Sequence, residues 1–204
     1  MTRAPACRYL VILLCLASPA HATADTLHGR VVRILDGDTV EVQDSASHTE
    51  RVRLGGIDAP EKSQPFGAQA KQRMAALSGG QTVAVDWTKR DRNGRIVGKL
   101  ILNGQDLGLA MVNTGLAWWY RKYADEQSAA DQFIYAAAEQ TARTAKRGLW
   151  AVVDPMAPWD YRHQPAPNKQ DLAGCLCGTA GLCTGPKGGR FCVTASGDKR
   201  YQLR

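Results

Sequence analysis

The order of apolar and polar positions predicts a strand-rich domain over most of the chain. Runs rich in β-branched residues, bounded by turn residues, predict five strands. Longer segments with helical periodicity predict three helices between and after them. The predicted strands are 27–35, 39–42, 51–57, 82–87 and 95–102, and the predicted helices are 66–77, 107–112 and 125–146. Five strands with a helix after the third match a small Greek-key barrel of the OB type. We therefore expect an α+β, mainly β fold.

The third predicted helix is long and rich in alanine. Its pattern places four apolar residues on one face of the helix, and Gly148 is predicted to cap its end. These four residues are Phe133, Ile134, Ala137 and Ala138.

The first residues of the chain have the pattern of a secretory signal peptide. Arg3 and Arg8 precede or flank a short apolar stretch, and Ala20-His21-Ala22 has the small residues that signal peptidase requires. The apolar stretch is too short to span a bilayer. We expect residues 1–22 to be removed and the protein to be exported, periplasmic or secreted, with no integral membrane span after cleavage.

Three further regions follow the predicted signal peptide. We expect one folded domain over residues 25–153 and a Pro-rich linker, or a segment wrapped on that domain, over 154–172. Residues 173–204 form a Cys-rich basic tail, and its four cysteines are Cys175, Cys177, Cys183 and Cys192. An even number of cysteines in an exported chain predicts disulfides, and a zinc site is the alternative. A Cys-x-Cys pair rarely closes on itself, so the first two cysteines are expected to pair with the last two, in either order.

Composition and charge narrow the function classes. With 44% hydrophobic and 22% charged residues, the chain resembles neither a disordered nor a polytopic membrane protein. The formal net charge is +7, which suits an acidic partner such as nucleic acid without demonstrating one. Most of the basic excess of the processed chain lies in the tail, so the main domain is expected to act through a local site.

Four acidic residues, Asp36, Asp38, Asp58 and Glu61, lie along the segment 36–61 together with Arg53. Strand pairing could bring Asp38 close to Asp58, and two neighbouring carboxylates repel unless a cation compensates their charge. Donor sets made only of oxygen suit Ca²⁺ or Mg²⁺, whereas the isolated His28 and His48 do not favour zinc. The alternative is that these are ordinary turns, because Asp and Gly are common turn residues.

Aromatic and basic side chains alternate over residues 118–123. They could stack on nucleobases beside a basic track, or pack in the core of the domain. We expect Trp118 or Trp119 to be structural and Tyr123 to be the better ligand candidate.

Three segments, in order along the chain, resemble the three motifs of the staphylococcal nuclease, or thermonuclease, family. They are Ile34-Leu35-Asp36-Gly37-Asp38-Thr39-Val40, Arg53-Leu54-Gly55-Gly56-Ile57-Asp58-Ala59-Pro60-Glu61 and Asp91-Arg92-Asn93-Gly94-Arg95. Gly115-Leu116-Ala117 and Gly148-Leu149-Trp150 match further features of that family. The resemblance covers about residues 27–150, and three linked motifs are more specific than any one of them.

The resemblance implies an OB-fold, Ca²⁺-dependent nuclease that cleaves DNA and RNA and leaves 3′-phosphates. It places metal ligands at Asp38, Asp58 and the backbone carbonyl of Ala59, with Asp36 behind them. It assigns Glu61 to the attacking water. It assigns phosphate binding to Arg53 and Arg95, since arginine offers paired donors to phosphate oxygens.

The residues that contact the rest of the nucleic acid in that family are less completely matched in this chain. Arg121 and Tyr123 occupy the positions of a tyrosine pair near the nucleotide, and Asn93 stands where the staphylococcal enzyme has a tyrosine. Arg92 is a further candidate for nucleic-acid binding. The loop after Glu61 is shorter than in that enzyme.

Two alternatives to a nuclease remain open. The first is a non-catalytic nucleic-acid-binding module of the same fold, tethered by its basic tail. The complete set of carboxylates and arginines favours the enzyme over this module. The second makes anchoring the main function, with the tail bound to an anionic cell-envelope polymer, since the tail resembles a small basic adaptor motif. We expect a monomer in either case.

Overall fold

A computed structural model describes residues 25–163, 175–177, 183–184, 190–194 and 199–201. The predicted signal peptide lies outside these residues. The strands are β1 Asp25–Ile34, β2 Thr39–Gln43, β3 Thr49–Leu54, β4 Ile57–Asp58, β5 Thr82–Arg90, β6 Ile96–Leu102, β7 Gln105–Asp106, β8 Trp118–Trp119, β9 Cys183–Thr184, β10 Arg190–Val193 and β11 Lys199–Tyr201. The helices are α1 Gly67–Ser78, α2 Leu107–Asn113, α3 Ala129–Thr144 and α4 Pro158–Arg162, with 3-10 segments at Arg121–Glu126 and Gly148–Ala151.

Five strands close into a barrel, as the sequence predicted. β1, β2 and β3 form an antiparallel meander, and β5 pairs antiparallel with both β1 and β6. The parallel pairing of β3 with β6, which sets Val52 opposite Ile96, closes the ring. A register shift between Val31 and Arg33 interrupts the pairing of β1 with β2. Such a shift bends the strand, so one end of β1 can pair with β5 and the other with β2.

Alternating residues of the barrel strands fill its interior. The inward side chains are aliphatic and fully buried, while α1 contributes Met74 and α2 contributes Met111 to the same core. The strand residues of this core are Val31, Val40, Val42, Val52, Leu54, Val83, Val85, Ile96 and Leu100. Burial of such side chains stabilises a fold by about 1.5–3 kcal/mol each, so this core accounts for much of the driving force for barrel formation.

The long helix begins later than predicted. Residues 121–126 form a 3-10 segment, and α3 starts at Ala129 because Ser128 caps it by accepting a hydrogen bond from the backbone N–H of Asp131. The sequence pattern missed this break because the residues from 125 onwards are compatible with a helix. The other end was also predicted too late, since α3 ends at Thr144 and Gly148 instead opens a 3-10 turn.

The buried face of α3 also differs from the predicted apolar face. Phe133 is 75% exposed and Ile134 is 41% exposed, so Ala138 is the predicted face residue that is buried. Tyr135, Glu139 and Ala142 complete the face toward the domain. The physical reason is polar anchoring: the Tyr135 hydroxyl donates to Asp106 at 2.8 Å, and Glu139 makes the contacts described next.

Glu139 ties α3 to β8. Its carboxylate is 1% exposed and accepts hydrogen bonds from the backbone N–H of Trp119 (3.2 Å) and from the Arg121 guanidinium (2.6 Å). Arg143 lies 3.6 Å from the same carboxylate. Because β8 pairs with β4, this buried charge also helps to hold the strand that carries Asp58.

The stretch 155–163, within the region predicted as a linker or wrapped segment, packs on the domain. Ala157 is buried in a second apolar cluster with Trp118, Leu149 and Trp150. Proline at the first position of α4 has a backbone angle that already suits a helix. The chain therefore returns to the barrel after α3 and brings α4 against it.

Two disulfides staple the C-terminal unit. Cys175 pairs with Cys183 and Cys177 pairs with Cys192, which confirms that the first two cysteines pair with the last two and gives the order. These cysteines are therefore not zinc ligands. Strands β9, β10 and β11 form a small antiparallel sheet, in which Phe191 is buried beside Cys175. Among the described residues, no helix combines the length and apolar character needed to cross a membrane.

The substitution Glu139→Gln should lower the free energy of unfolding by about 1–3 kcal/mol, because it removes the buried charge that accepts a hydrogen bond from Arg121 and forms an ion pair with Arg143. Urea unfolding followed by circular dichroism measures this loss. Glu126→Gln is the matched control, since Glu126 pairs with Lys89 on the surface and should cost less than about 1 kcal/mol. Equal losses in the two variants would contradict the anchoring role of Glu139.

Candidate active site

Two buried carboxylates meet at one end of the barrel. Asp38 ends the β1–β2 turn and Asp58 ends β4, and their side chains are 8% and 2% exposed. Gly37 permits this approach, because a Cβ atom there would lie 2.7 Å from the Cβ atoms of both Ala59 and Ala70. The turn can therefore press against the loop after β4 only with glycine at this position.

Arg53 lies between the two carboxylates. Its Nε lies 3.3 Å from Asp38 Oδ1, and its Nη2 donates to Asp58 Oδ1 at 2.9 Å. Its Nη1 donates to the backbone carbonyl oxygens of Leu54 (2.7 Å) and Ile57 (2.9 Å). With its donors used in this way, the guanidinium is fixed in place and offsets part of the negative charge.

Asp38 is also held by neighbouring donors. Its Oδ2 accepts the backbone N–H of Ala59 at 2.7 Å, and its Oδ1 accepts the Thr39 hydroxyl at 3.0 Å. Asp36 lies behind it and accepts the backbone N–H of Asp38 at 3.1 Å. These bonds orient the Asp38 carboxylate and leave it little freedom to turn.

The acidic groups disturb one another's ionisation. Burial, with the neighbouring charge of Asp38, raises the pKa of Asp36 to about 6. Burial also raises the pKa of Asp58 above its usual value, although hydrogen bonds and charge from Arg162 and Arg53 oppose the rise. Negative charge at this position is therefore costly unless cations stay close to it.

The donor chemistry fits a hard divalent cation. Within the described ranges, no three His, Cys, Asp or Glu side chains converge to hold an ion. Asp38 and Asp58 would supply two carboxylate ligands. Backbone carbonyl oxygens and water would complete the set, because Ca²⁺ and Mg²⁺ accept such oxygen ligands. The backbone N–H of Ala59 is already bonded to Asp38, which leaves its carbonyl oxygen as the predicted ligand.

Arg162, which the sequence analysis did not single out, enters the same site from α4. Its Nη2 donates to Asp58 Oδ2 at 2.7 Å, and its Nη1 donates to Glu61 Oε1 at 2.7 Å. Partial burial acts to lower the pKa of Arg162, but its contacts with the two carboxylates raise that pKa above the usual value. The sequence signal available for this residue was a Pro-rich stretch that contains a tryptophan, a tyrosine and an arginine close together.

The loop that carries Glu61 is fastened to the segment before α4. Gln64 is buried, and its side chain accepts the backbone N–H of Glu61 (3.1 Å) and donates to the carbonyl oxygen of Met156 (2.7 Å). The Tyr161 hydroxyl donates to Ser63 Oγ at 3.0 Å. These contacts hold Glu61 beside Asp58, and no pattern in the sequence indicates them.

Arg95 lies at the start of β6, on the neighbouring strand to Arg53. Its Nε donates to Asp91 Oδ2 at 2.7 Å, and its backbone N–H donates to Asp91 Oδ1 at 3.0 Å. Val52 lies opposite Ile96 in the parallel pairing of β3 with β6, and both residues belong to the core. Arg53 follows Val52 and Arg95 precedes Ile96, so the alternation of side chains along a strand places both arginines on the face opposite the core. The phosphate-binding role of Arg95 stays a prediction.

Both tryptophans of β8 make structural contacts, although the sequence analysis expected only one of them to be structural. Trp118 is buried against Trp150, with ring centroids 4.3 Å apart. The Trp119 indole N–H donates to the Gln127 side chain at 2.8 Å, and the Arg121 guanidinium lies 4.5 Å from its ring centroid. Arg121 is thus engaged with Trp119 and Glu139.

Tyr123 is the more accessible aromatic candidate. It is 42% exposed, and the ammonium groups of Lys89 and Lys122 lie 5.6 and 5.7 Å from its ring centroid. Arg92 is exposed on the turn between β5 and β6. These side chains remain available to an anionic ligand on the surface.

The substitution Gly37→Ala should lower the free energy of unfolding by about 1–3 kcal/mol, because the added methyl group overlaps Ala59 and Ala70. Chemical denaturation measures the loss. Gly55→Ala is the matched control, since a Cβ there makes only ordinary contacts, the nearest at 3.7 Å to Val97. Equal losses of stability in the two variants would contradict the role of close packing at Gly37 in bringing the two carboxylates together.

Comparison with known proteins identifies the family of this chain. The family model Staphylococcal nuclease homologue matches residues 51–152. An uncharacterized endonuclease of Escherichia coli is 41% identical over 158 residues, which are 77% of this chain and 98% of that protein. Micrococcal nuclease of Shigella flexneri is 39% identical over 160 residues, 74% of this chain and 87% of that protein. The fold, the paired carboxylates and these similarities show that the chain belongs to the staphylococcal nuclease family.

Proposed function

We propose that this protein is an exported, Ca²⁺-dependent nuclease that hydrolyses phosphodiester bonds of DNA and RNA and leaves 3′-phosphates. As a member of the staphylococcal nuclease family with relatives named endonuclease, the chain is an endonuclease. The observation that carries the mechanism is the pair of buried carboxylates, Asp38 and Asp58, held on one arginine beside Glu61.

The first requirement of the reaction is to bring an anionic phosphodiester to an acidic site. Asp38, Asp58 and the Ala59 carbonyl would hold Ca²⁺, with Asp36 stabilising the turn behind Asp38. When bound, the ion supplies charge neutralisation and a template for the phosphate. Hard oxygen donors and the cost of leaving two carboxylates side by side support this assignment.

The second requirement is a positioned water. Glu61 stands at the rim of the site with a side chain 39% exposed, so solvent can reach it. Glu61 would orient a water molecule and accept its proton as the water oxygen bonds to phosphorus. The bond from phosphorus to the 5′-oxygen breaks, and that oxygen takes up a proton. The 3′-oxygen keeps the phosphate.

The third requirement is stabilisation of charge on the phosphate. Arg95 would offer donors to the phosphate oxygens and the leaving oxygen once its contact with Asp91 is exchanged for the substrate. Arg53 adds positive potential at short range, although its hydrogen bonds to Asp58, Leu54 and Ile57 make it a fixed charge. Tyr123, Arg92 and Arg121 would guide the remaining nucleotides, by stacking and by charge.

We also propose that the protein works outside the cytoplasm. The two disulfides of the C-terminal unit support this, because such bonds persist in oxidising compartments. The signal peptide, residues 1–22, would direct export to the periplasm or medium. The basic tail, residues 173–204, would tether the monomeric enzyme to an anionic envelope polymer, with residues 154–172 as the connection.

The purified mature protein should cut denatured DNA and RNA in the presence of Ca²⁺ and stop when a chelator is added. Glu61→Gln and Arg95→Ala should each lower kcat at least about 100-fold, because one loses the proton acceptor and the other a charged donor to phosphate. Release of acid-soluble nucleotides measures the rate, and removal of the new terminal phosphate by a phosphatase specific for 3′-phosphates identifies the products.

Glu50→Gln is the control, since Glu50 pairs with Arg90 on the barrel surface and should leave the rate within about twofold of wild type. Retained binding of nucleic acid with no cleavage under any divalent cation would replace the enzyme with the binding module. Cleavage that survives in Glu61→Gln would remove Glu61 from the proposed mechanism.

A further inference from the structure

Residues 155–163 form a strap that crosses from the second apolar cluster to the acidic site and ends at Arg162. We propose that Arg162 is a further residue of the active site, one that competes with the divalent cation for Asp58 and so couples this strap to cation binding. The inference rests on the proposed cation site at Asp38 and Asp58.

Both oxygen atoms of Asp58 already accept guanidinium donors. Arg53 donates to Oδ1 at 2.9 Å, and Arg162 donates to Oδ2 at 2.7 Å, with a longer contact of 3.3 Å to Oδ1. A cation bound to this carboxylate takes one of these oxygens. The cation therefore shares an oxygen with at least one guanidinium, and the repulsion between the two positive charges weakens the contact of that arginine.

Arg162 is the arginine that yields. The Arg53 side chain is 15% exposed and is fixed by two backbone carbonyl groups. The Arg162 side chain is 38% exposed, and the hydrogen bonds described for it go to Asp58 and Glu61, which lie in the site itself. Repulsion between a divalent cation and a guanidinium on one carboxylate would push the more exposed charge away.

The strap has anchors of its own, so releasing Arg162 need not detach it. Ala157 is buried, Gln64 donates to the carbonyl oxygen of Met156, and the Trp159 ring stacks on Tyr120 with centroids 5.2 Å apart. Only the end of α4 has to move. The guanidinium therefore stays close to the site at high effective concentration, which is what an intramolecular competitor requires.

The same movement changes Glu61. Arg162 Nη1 donates to Glu61 Oε1 at 2.7 Å, so this oxygen is occupied while the strap is closed. Release of Arg162 from Asp58 removes one of the two contacts that hold the guanidinium beside Glu61. Cation binding thereby makes Glu61 more accessible to water. Coupling of this kind is reciprocal, so a strap that binds the site more tightly lowers the affinity of the site for the cation.

Calorimetric titration of the full mature protein with Ca²⁺ tests the competition directly. Arg162→Gln should bind Ca²⁺ about tenfold more tightly than wild type, because the competing charge is gone. Arg162→Lys keeps the charge without the planar fork and should fall between the two. Arg33→Gln is the matched control: it removes the same charge from a surface pair with Glu41, which Arg51 also contacts, and should leave the affinity unchanged.

Hydrogen exchange of the wild-type protein gives an independent readout. The amides of Asp160 and Tyr161 donate to the carbonyl oxygen of Ala157, which caps α4, and the amide of His163 donates to that of Asp160. These amides should exchange faster when Ca²⁺ is added, since the end of α4 loses its hold on Asp58. Slower or unchanged exchange would overturn the coupling without any variant having to fold.

The outcomes separate this inference from the proposed function. If wild type binds Ca²⁺ and Arg162→Gln binds it no more tightly, Arg162 is not a competitor and the cation site stands. Weaker binding in Arg162→Gln would make the arginine a support of the cation site and also overturn the inference. If neither protein binds Ca²⁺, the proposed cation site and this inference fall together.

Discussion

The arrangement of the site depends on two carboxylates that are buried together and compensated by arginine. Asp38 and Asp58 would repel each other in a region with little solvent, and Arg53 lies within ion-pair distance of both. Arg53 is in turn fixed by the backbone carbonyl groups of Leu54 and Ile57. The charge balance is therefore built into the end of one strand, and the surrounding elements have to converge on it.

Several distant parts of the fold keep that convergence in place. Pairing of Thr39 with Arg53 in the barrel brings the first turn beside β3, and Gly37 lets it approach the loop after β4. On the other side, β8 pairs with β4, and Glu139 of α3 holds β8 through Trp119 and Arg121. A helix with no residue in the site thus contributes to its geometry through one buried charge.

The C-terminal part of the domain also contacts the site and balances its charge. Gln64 and Tyr161 fasten the Glu61 loop to the strap, and Arg162 carries positive charge onto Asp58 and Glu61. The acidic cluster is therefore balanced by one fixed arginine and one that is more exposed. This difference in exposure is the basis of the proposed exchange of Arg162 for a divalent cation, which would leave the barrel unchanged.

The sequence by itself determined the five barrel strands, the turn glycine, the pairing of the first two tail cysteines with the last two and the motifs of the family, because each depends on local periodicity, spacing or residue type. It did not determine which face of α3 is buried, since hydrogen bonds of Tyr135 and Glu139 outweigh the apolar Phe133 and Ile134. Nor did it indicate Arg162, which lies about one hundred residues after Asp58 and Glu61. Only the tertiary structure decides such contacts, because they depend on where the chain returns after the barrel has closed.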